Sequence, residues 1–280
     1  MDTDNHTIPE CLGIIAGRGA YPLLLAQSAR TQGVKRLVVV AYQKETEPDI
    51  ERYADEVHWL NFGQLTATLD TFRNAGVTWA VMAGQITPTH LFRLRPDARA
   101  LSLLAKLKVR NAHTLFGAVS DELLSVGVTL LPACRFMEET MPLPGTLSAR
   151  ALTERESDDV QLGLHVAKTT SGLDIGQTVV IKEGVVLAVE AFEGTDATLL
   201  RAGELGGPGA VVVKVAKQNH DMRFDIPVMG LRTMKVLKKA GISALAVEAR
   251  RTILLERDKL VEAANRLNLA LVAVEVKDHE

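Results

Sequence analysis

The chain has 280 residues, 47% hydrophobic and 24% charged, a balance that excludes a disordered polypeptide and leaves ample apolar mass for a core. Lysine plus arginine number 32 against 34 aspartate plus glutamate, so the net charge is -2 and no nucleic-acid partner is expected. Apolar runs such as residues 37–42 and 269–274 are strand-sized, well short of the ~18 residues of a membrane span.

The first ten residues, MDTDNHTIPE, are polar and acidic and lack the basic-then-apolar order of a secretory signal, which points to the cytoplasm. Cys11 and Cys134 have no Cys or His at metal-ligand spacing and read as inert thiols of a reducing compartment.

In chain order, residues 12–16 form a strand and 22–31 a helix stopping near Gly33. Residues 36–42 form a β-branched strand and 56–61 a weaker one. A helix at 64–74 closes at Gly76, and 78–83 is again a strand. A longer helix at 111–125 ends at Gly127 before a strand at 128–132. This alternation predicts a Rossmann-like parallel sheet over residues 1–140. Residues 141–159 carry two prolines, a glycine and many charges without apolar period, and read as a linker or a linker leading into a helix. Residues 160–280 make a second α/β domain with a mixed sheet. Its elements are a helix at 161–170, a hairpin at 177–189 turning at Glu183-Gly184, and a strand at 210–215. A helix at 229–240, a strand at 244–248, a helix at 252–267 and a strand at 269–276 complete it.

Five segments carry candidate chemistry. Residues 13–20, GIIAGRGA, make a glycine-rich strand-to-helix turn in which Gly17 and Gly19 would let backbone N–H groups approach a phosphate. The third glycine of a dinucleotide fingerprint is absent, with Pro22 in its place, and the second strand ends in Tyr42-Gln43-Lys44 without an acidic ribose partner. That argues against NAD and leaves either a mononucleotide or diphosphate contact or a plain tight turn. Gly84 and Gln85, at the end of another strand, either meet a base or sugar or form a polar loop. Residues 91–110 carry Arg93, Arg95, Arg99, Lys106, Lys108 and Arg110 against the single acid Asp97, which fits a solvated basic helix face or, with an anionic lipid, a gripping one.

The fourth segment, AVEAFEGTDA at 188–197, crowds Glu190, Glu193 and Asp196 at a strand exit, with Thr195 as expected N-cap of the next helix. Hard oxygen ligands of this kind suit magnesium. The fifth is the most specific. Lys214, Lys217, Asp221, Arg223 and Asp225 fall within twelve residues before Pro227. In an extended chain Asp221, Arg223 and Asp225 would project to one side, which suits a metal–diphosphate site. His220 is a lone loop histidine to which no role is given.

Read together, EAFEGTDATLLRAGEL, GGPGAVVVKVAK and DMRFDIPVMGLRTM, with GIIAGRGAYPLLLAQSARTQG and VMAGQITP upstream, resemble the UDP-2,3-diacylglucosamine pyrophosphatase family of the LpxI type over nearly the whole chain. The resemblance implies hydrolysis of a lipid-linked UDP-sugar to UMP and lipid X in lipid A biosynthesis of Gram-negative bacteria. It further implies dependence on magnesium, two domains with the lipid product between them, and a homodimer. It makes the aspartate of the R-F-D-x-P run, Asp225, essential. A lipid substrate also implies peripheral contact with the cytoplasmic face of the inner membrane.

The residues and the resemblance lead to one expected division of labour. Asp225 with Glu193 or Asp196 holds magnesium, Asp221 orients water, and Arg223, Lys214 and Lys217 hold the diphosphate. Gly17, Gly19, Gly84, Gln85 and Thr195 complete the substrate contacts.

Overall fold

The computed structural model describes residues 7–85, 96–109, 111–217 and 221–276. The chain divides into two compact units, residues 1–137 with 221–225, and residues 138–220 with 226–280.

In the first unit β1 (Cys11–Ala16) leads to α1 (Tyr21–Thr31), β2 (Arg36–Tyr42) and β3 (Glu56–Leu60). Then come α2 (Leu65–Asn74), β4 (Trp79–Ala83), α3 (Ala98–Lys106), α4 (Ala112–Ser125) and β5 (Thr129–Leu130). The sheet order is β3-β2-β1-β4-β5 and every pairing is parallel, as the alternation of strands and helices predicted. β1 and β2 are buried from their second residue onward. Parallel strands covered on both faces need such unbroken apolar runs, which is why Leu37 to Tyr42 shows no alternation.

Of the basic run, α3 covers part. Asp97 caps it, accepting from Ala100 N, and Arg99 is paired with Glu122 on α4. Arg93, Arg95 and Arg110 lie outside the described residues.

In the second unit the chain runs through β6 (Gly145–Thr146), α5 (Glu154–Gly172), β7 (Thr178–Lys182), β8 (Val185–Val189), α6 (Thr195–Gly206) and β9 (Val211–Lys214). It continues through β10 (Val228–Met229), α7 (Leu231–Ala240), β11 (Ala244–Glu248), β12 (Ile253–Leu254), α8 (Arg257–Arg266) and β13 (Ala270–Val274). The main sheet, ordered β6-β13-β11-β9-β7-β8, is mixed: β9, β11 and β13 are parallel, while β6, β7 and β8 run against their neighbours. Successive strand residues alternate between two cores. Val212, Leu245 and Leu271 join Leu199, Leu237 and Leu260 of α6, α7 and α8. Val211, Val213, Ala244 and Val272 join Val160 and Ala167 of α5.

Some helix starts differ from the sequence reading: the helix predicted over residues 252–267 is α8, which begins only at Arg257, because Ile253 and Leu254 form the strand β12. The helix predicted from residue 229 begins at Leu231, because Val228 and Met229 pair with Ile253 and Leu254 in a two-stranded sheet. These dipeptides are too short to show a period. Residues 141–159, read as a linker or a linker leading into a helix, supply β6 and the start of α5. There Thr153 and Glu156 form a capping box. Both Glu156 oxygens accept from Arg150, at 2.7 and 2.8 Å, and Ser243 Oγ adds a bond of 2.7 Å. The Arg150 guanidinium, aided by Thr153 N–H and the Ser243 hydroxyl, holds the Glu156 carboxyl down at about 2, against an ordinary 4.5.

A depressed carboxyl stabilises the fold above its unfolded value and loses that contribution as pH falls through the folded one. Glu156→Gln is therefore expected to cost about 2 kcal/mol at neutral pH. Thermal denaturation at stepped pH should show the gap from wild type closing between pH 4.5 and about 2.

Candidate functional site

The two glycine loops of the first unit lie against one another. Gly17 N–H donates to Ala83 O at 2.7 Å, Arg18 N–H to Gln85 O at 2.7 Å, and Gln85 N–H to Arg18 O at 3.1 Å. The loops after β1 and β4 are thus zipped by backbone bonds at the place where strand order reverses, the usual ligand crevice of such sheets. The approach explains two glycines. A Cβ on Gly17 would stand 2.6 Å from Gln85 O, and one on Gly84, whose φ is +96°, would stand 2.8 Å from Gly17 C. Gly19 has a φ of +94° but open space around it. An open cavity of about 810 Å³ lies to one side, lined by Arg18, Lys44, Glu47 and Trp59 among others.

In the second unit, Thr195 and Lys214 meet. Thr195 Oγ1 donates to Glu190 Oε1 at 2.8 Å and accepts from Lys214 Nζ at 2.9 Å. Lys214 is 5% exposed at the end of β9, and Glu190 is 9% exposed after β8. Glu190 Oε2 is buried and has no hydrogen-bond partner among the described residues. Thr195 is not the N-cap: Gly194 takes that place with φ +82°, no side chain caps α6, and Thr195 is its first residue. Its hydroxyl is drawn instead to Glu190, and the uncapped amide end of α6 adds positive potential beside Lys214.

Glu193 and Asp196 carry arginine partners. Glu193 Oε1 accepts from Arg201 at 2.9 Å, and Asp196 pairs with Arg232 at 2.9 Å. Hydrogen bonds from its own backbone N–H, Arg201, Thr198 and Ala191 N–H hold the Glu193 carboxyl below its usual range. Lys217 is paired with Asp174.

Residues 221–225 are not extended as the sequence reading supposed. Asp221 Oδ1 accepts from Arg223 N, and Asp221 O accepts from Phe224 N and Asp225 N, so the chain turns. The Arg223 side chain folds back on Asp221, with Nε to Oδ1 at 2.9 Å and Nη2 to Oδ2 at 2.7 Å. This fork drives the Asp221 carboxyl below its ordinary value and the guanidinium above its own. Nη1 reaches Ser120 Oγ at 2.7 Å, so each guanidinium nitrogen carries a bond. Gln218, Asn219 and His220 lie outside the described residues.

Carboxylate oxygen suits magnesium, which usually takes one or two protein carboxylates and completes its shell with phosphate and water. Among the described residues no three His, Cys, Asp or Glu side chains cluster as a metal cage. Glu193 and Asp196 are engaged by arginines.

The LpxI N-terminal domain family matches residues 11–140, and the LpxI C-terminal domain family matches residues 143–272. The UDP-2,3-diacylglucosamine pyrophosphatase LpxI of Caulobacter vibrioides is 32% identical over 283 aligned residues, covering 95% of this chain and 98% of its own. The chain belongs to the LpxI family.

Among solved structures, the biotin carboxylase subunit of pyruvate carboxylase aligns over 65% of this chain and 38% of its own, with 12% identity and a TM-score of 0.26. N5-carboxyaminoimidazole ribonucleotide synthetase of Thermotoga maritima aligns over 64% of this chain and 40% of its own, with 14% identity and a TM-score of 0.23. Likenesses that low carry no argument.

The LpxI family division gives residues 221–225 to the C-terminal domain by sequence, yet they pack in the first unit. The sequence reading passed over Ser120 and left Glu190 without a specific role. A serine at the centre of an apolar helix face and an acid directly after an apolar strand-like run were the available signals.

The zipped loops make a stability prediction. Gly84→Ala sets a Cβ against backbone at a positive φ and is expected to lower the thermal midpoint of the LpxI fold by about 5 °C or more. Gly19→Ala, strained but unclashed, should cost roughly 1 kcal/mol. Calorimetry on both variants checks the order.

Proposed function

We propose that the protein hydrolyses the pyrophosphate bond of UDP-2,3-diacylglucosamine, releasing UMP and 2,3-diacylglucosamine 1-phosphate (lipid X), with magnesium as cofactor. The observation that carries this reading is full-length similarity to an enzyme named for that substrate, 32% identical across both domains. The step would serve lipid A biosynthesis in a Gram-negative cell.

The side chains support it chemically. Water attacks one phosphorus, a new P–O bond forms, and the bridging P–O bond breaks. Such a reaction needs a positioned water and neutralised oxygens more than a protein nucleophile. Asp225, in the turn closed by Asp221, is the carboxylate assigned to the water or the metal. Lys214, nearly buried beside the free amide end of α6, is assigned to phosphoryl oxygens, with Thr195 holding its ammonium in place. Lys217 and the Gly17, Gly19, Gly84 and Gln85 loops remain further substrate-side assignments. Arg223, already bonded through all three nitrogens, is better suited to shaping the turn than to gripping substrate. Magnesium, when bound, supplies charge neutralisation at the diphosphate.

No helix among the described residues is long and apolar enough to cross a membrane. We assign the protein to the cytoplasm with peripheral contact at the inner membrane, where its lipid substrate resides, and to a homodimer.

Purified protein with UDP-2,3-diacylglucosamine should release UMP with magnesium and none with EDTA. Asp225→Ala, folded by circular dichroism, should lose at least about a thousandfold in kcat. A folded wild type that binds this substrate and leaves it intact would instead identify a lipid- or nucleotide-binding regulator.

A further inference from the structure

Residues 221–225 belong to the first unit although the chain on both sides belongs to the second. Five residues cannot bury a core of their own, so the contacts that hold them must come from the surface they join. Met222 O accepts from Ala133 N at 2.6 Å, just beyond β5. The Phe224 ring lies 5.7 Å from the His113 ring and 5.9 Å from Phe116. Arg223 Nη1 donates to Ser120 Oγ.

His113, Phe116 and Ser120 are spaced i, i+3 and i+7 on α4, so they share one helix face. Ser120 is 3% exposed. A hydroxyl buried on an apolar helix costs free energy unless it is paired. The guanidinium is its partner, and that partner is fixed in turn by two bonds to Asp221. The same Asp221 accepts the Asp225 amide through its carbonyl at 3.1 Å. A continuous chain of hydrogen bonds therefore runs from Ser120 through Arg223 and Asp221 to the backbone of Asp225.

We propose that Ser120 is a positioning residue for Asp225: it anchors the Arg223–Asp221 pair on α4 and so fixes where the Asp225 carboxylate stands. This rests on Asp225 being the hydrolytic carboxylate. Displacing a reacting group by about 1 Å costs on the order of a hundredfold in rate. Binding contacts made by other residues are left intact, so the loss falls on kcat.

The test combines kinetics with hydrogen exchange on Ser120→Ala and Ser120→Thr, using UDP-2,3-diacylglucosamine and magnesium. Ser120→Ala is expected to lose about ten- to a hundredfold in kcat with KM unchanged within about twofold. Its amides at residues 223–225 should exchange at least about tenfold faster, while those of β1, β2 and β4 keep wild-type protection. Ser120→Thr, which retains the hydroxyl, should restore both. Unchanged kcat and unchanged exchange in Ser120→Ala overturn the proposal, as does an equal loss in Ser120→Thr with a general fall in stability. If the wild type releases no UMP, the hydrolase reading fails by itself. Exchange at 223–225 then decides alone whether Ser120 holds the turn.

Discussion

The ion pair between Asp221 and Arg223 sets the course of the chain where the chemistry is expected. Its side chains are 22% and 40% exposed, so water screens the charges and the pair adds little to global stability. Its value is geometric. A guanidinium held by both oxygens of one carboxylate has a fixed plane, and its remaining edge points to one place, the Ser120 hydroxyl. Once that plane is set, the turn must place Phe224 against α4 and present Asp225 next. A lysine in place of Arg223 would keep the charge and lose the direction.

A second constraint acts where buried strands end. β9 and β11 are buried throughout, and each ends in a charged residue, Lys214 and Glu248. Glu248, 2% exposed, accepts from Lys168 at 2.8 Å and from Ala216 N at 2.7 Å. Removing one member of so buried a pair would strand the other. The bond to Ala216 N ties down the chain as it leaves β9, two residues after Lys214. In parallel sheets functional groups gather beyond strand carboxyl ends because the next segment must leave the sheet there. This sheet first spends one charged end on its own backbone.

The fold was legible in the sequence wherever burial imposes a pattern. The β-branched run at residues 36–42, the Glu183-Gly184 turn, and Gly33, Gly76 and Gly127 after their helices are local signals, and each element appears where they place it. Val228 and Met229 pair across some twenty-five residues of sequence, and two residues carry no period to announce this. The site was legible as composition more than as geometry. Lysines, acids and glycines of the right kinds were evident, but which acids are already taken by arginines depends on Arg201 and Arg232, eight and thirty-six residues away from their partners. The turn at 221–225 was not legible because Pro227 constrains only its immediate predecessor, whereas Asp221 captures the amides that follow it.

Two cations of the most specific sequence segment, Lys214 in the second unit and Arg223 in the first, differ in how they are neutralised. Arg223 is already engaged: each of its nitrogens bonds a carboxylate or a hydroxyl, and its charge meets that of Asp221 in direct contact. Lys214 reaches the Glu190 carboxylate through the Thr195 hydroxyl, with no direct ion pair among the described residues. Its hydrogen-bond partners among the described residues, Thr178 and Thr195, are neutral hydroxyls. A buried ammonium in that state, beside the positive end of α6, gains more from an arriving anion than a cation already neutralised. A diphosphate brings that anion. Binding energy from it would be realised at Lys214, while Arg223 would do the same work whether substrate is present or absent. On the proposed function, Lys214 is therefore assigned to substrate recognition and Arg223 to shaping the turn that carries Asp225.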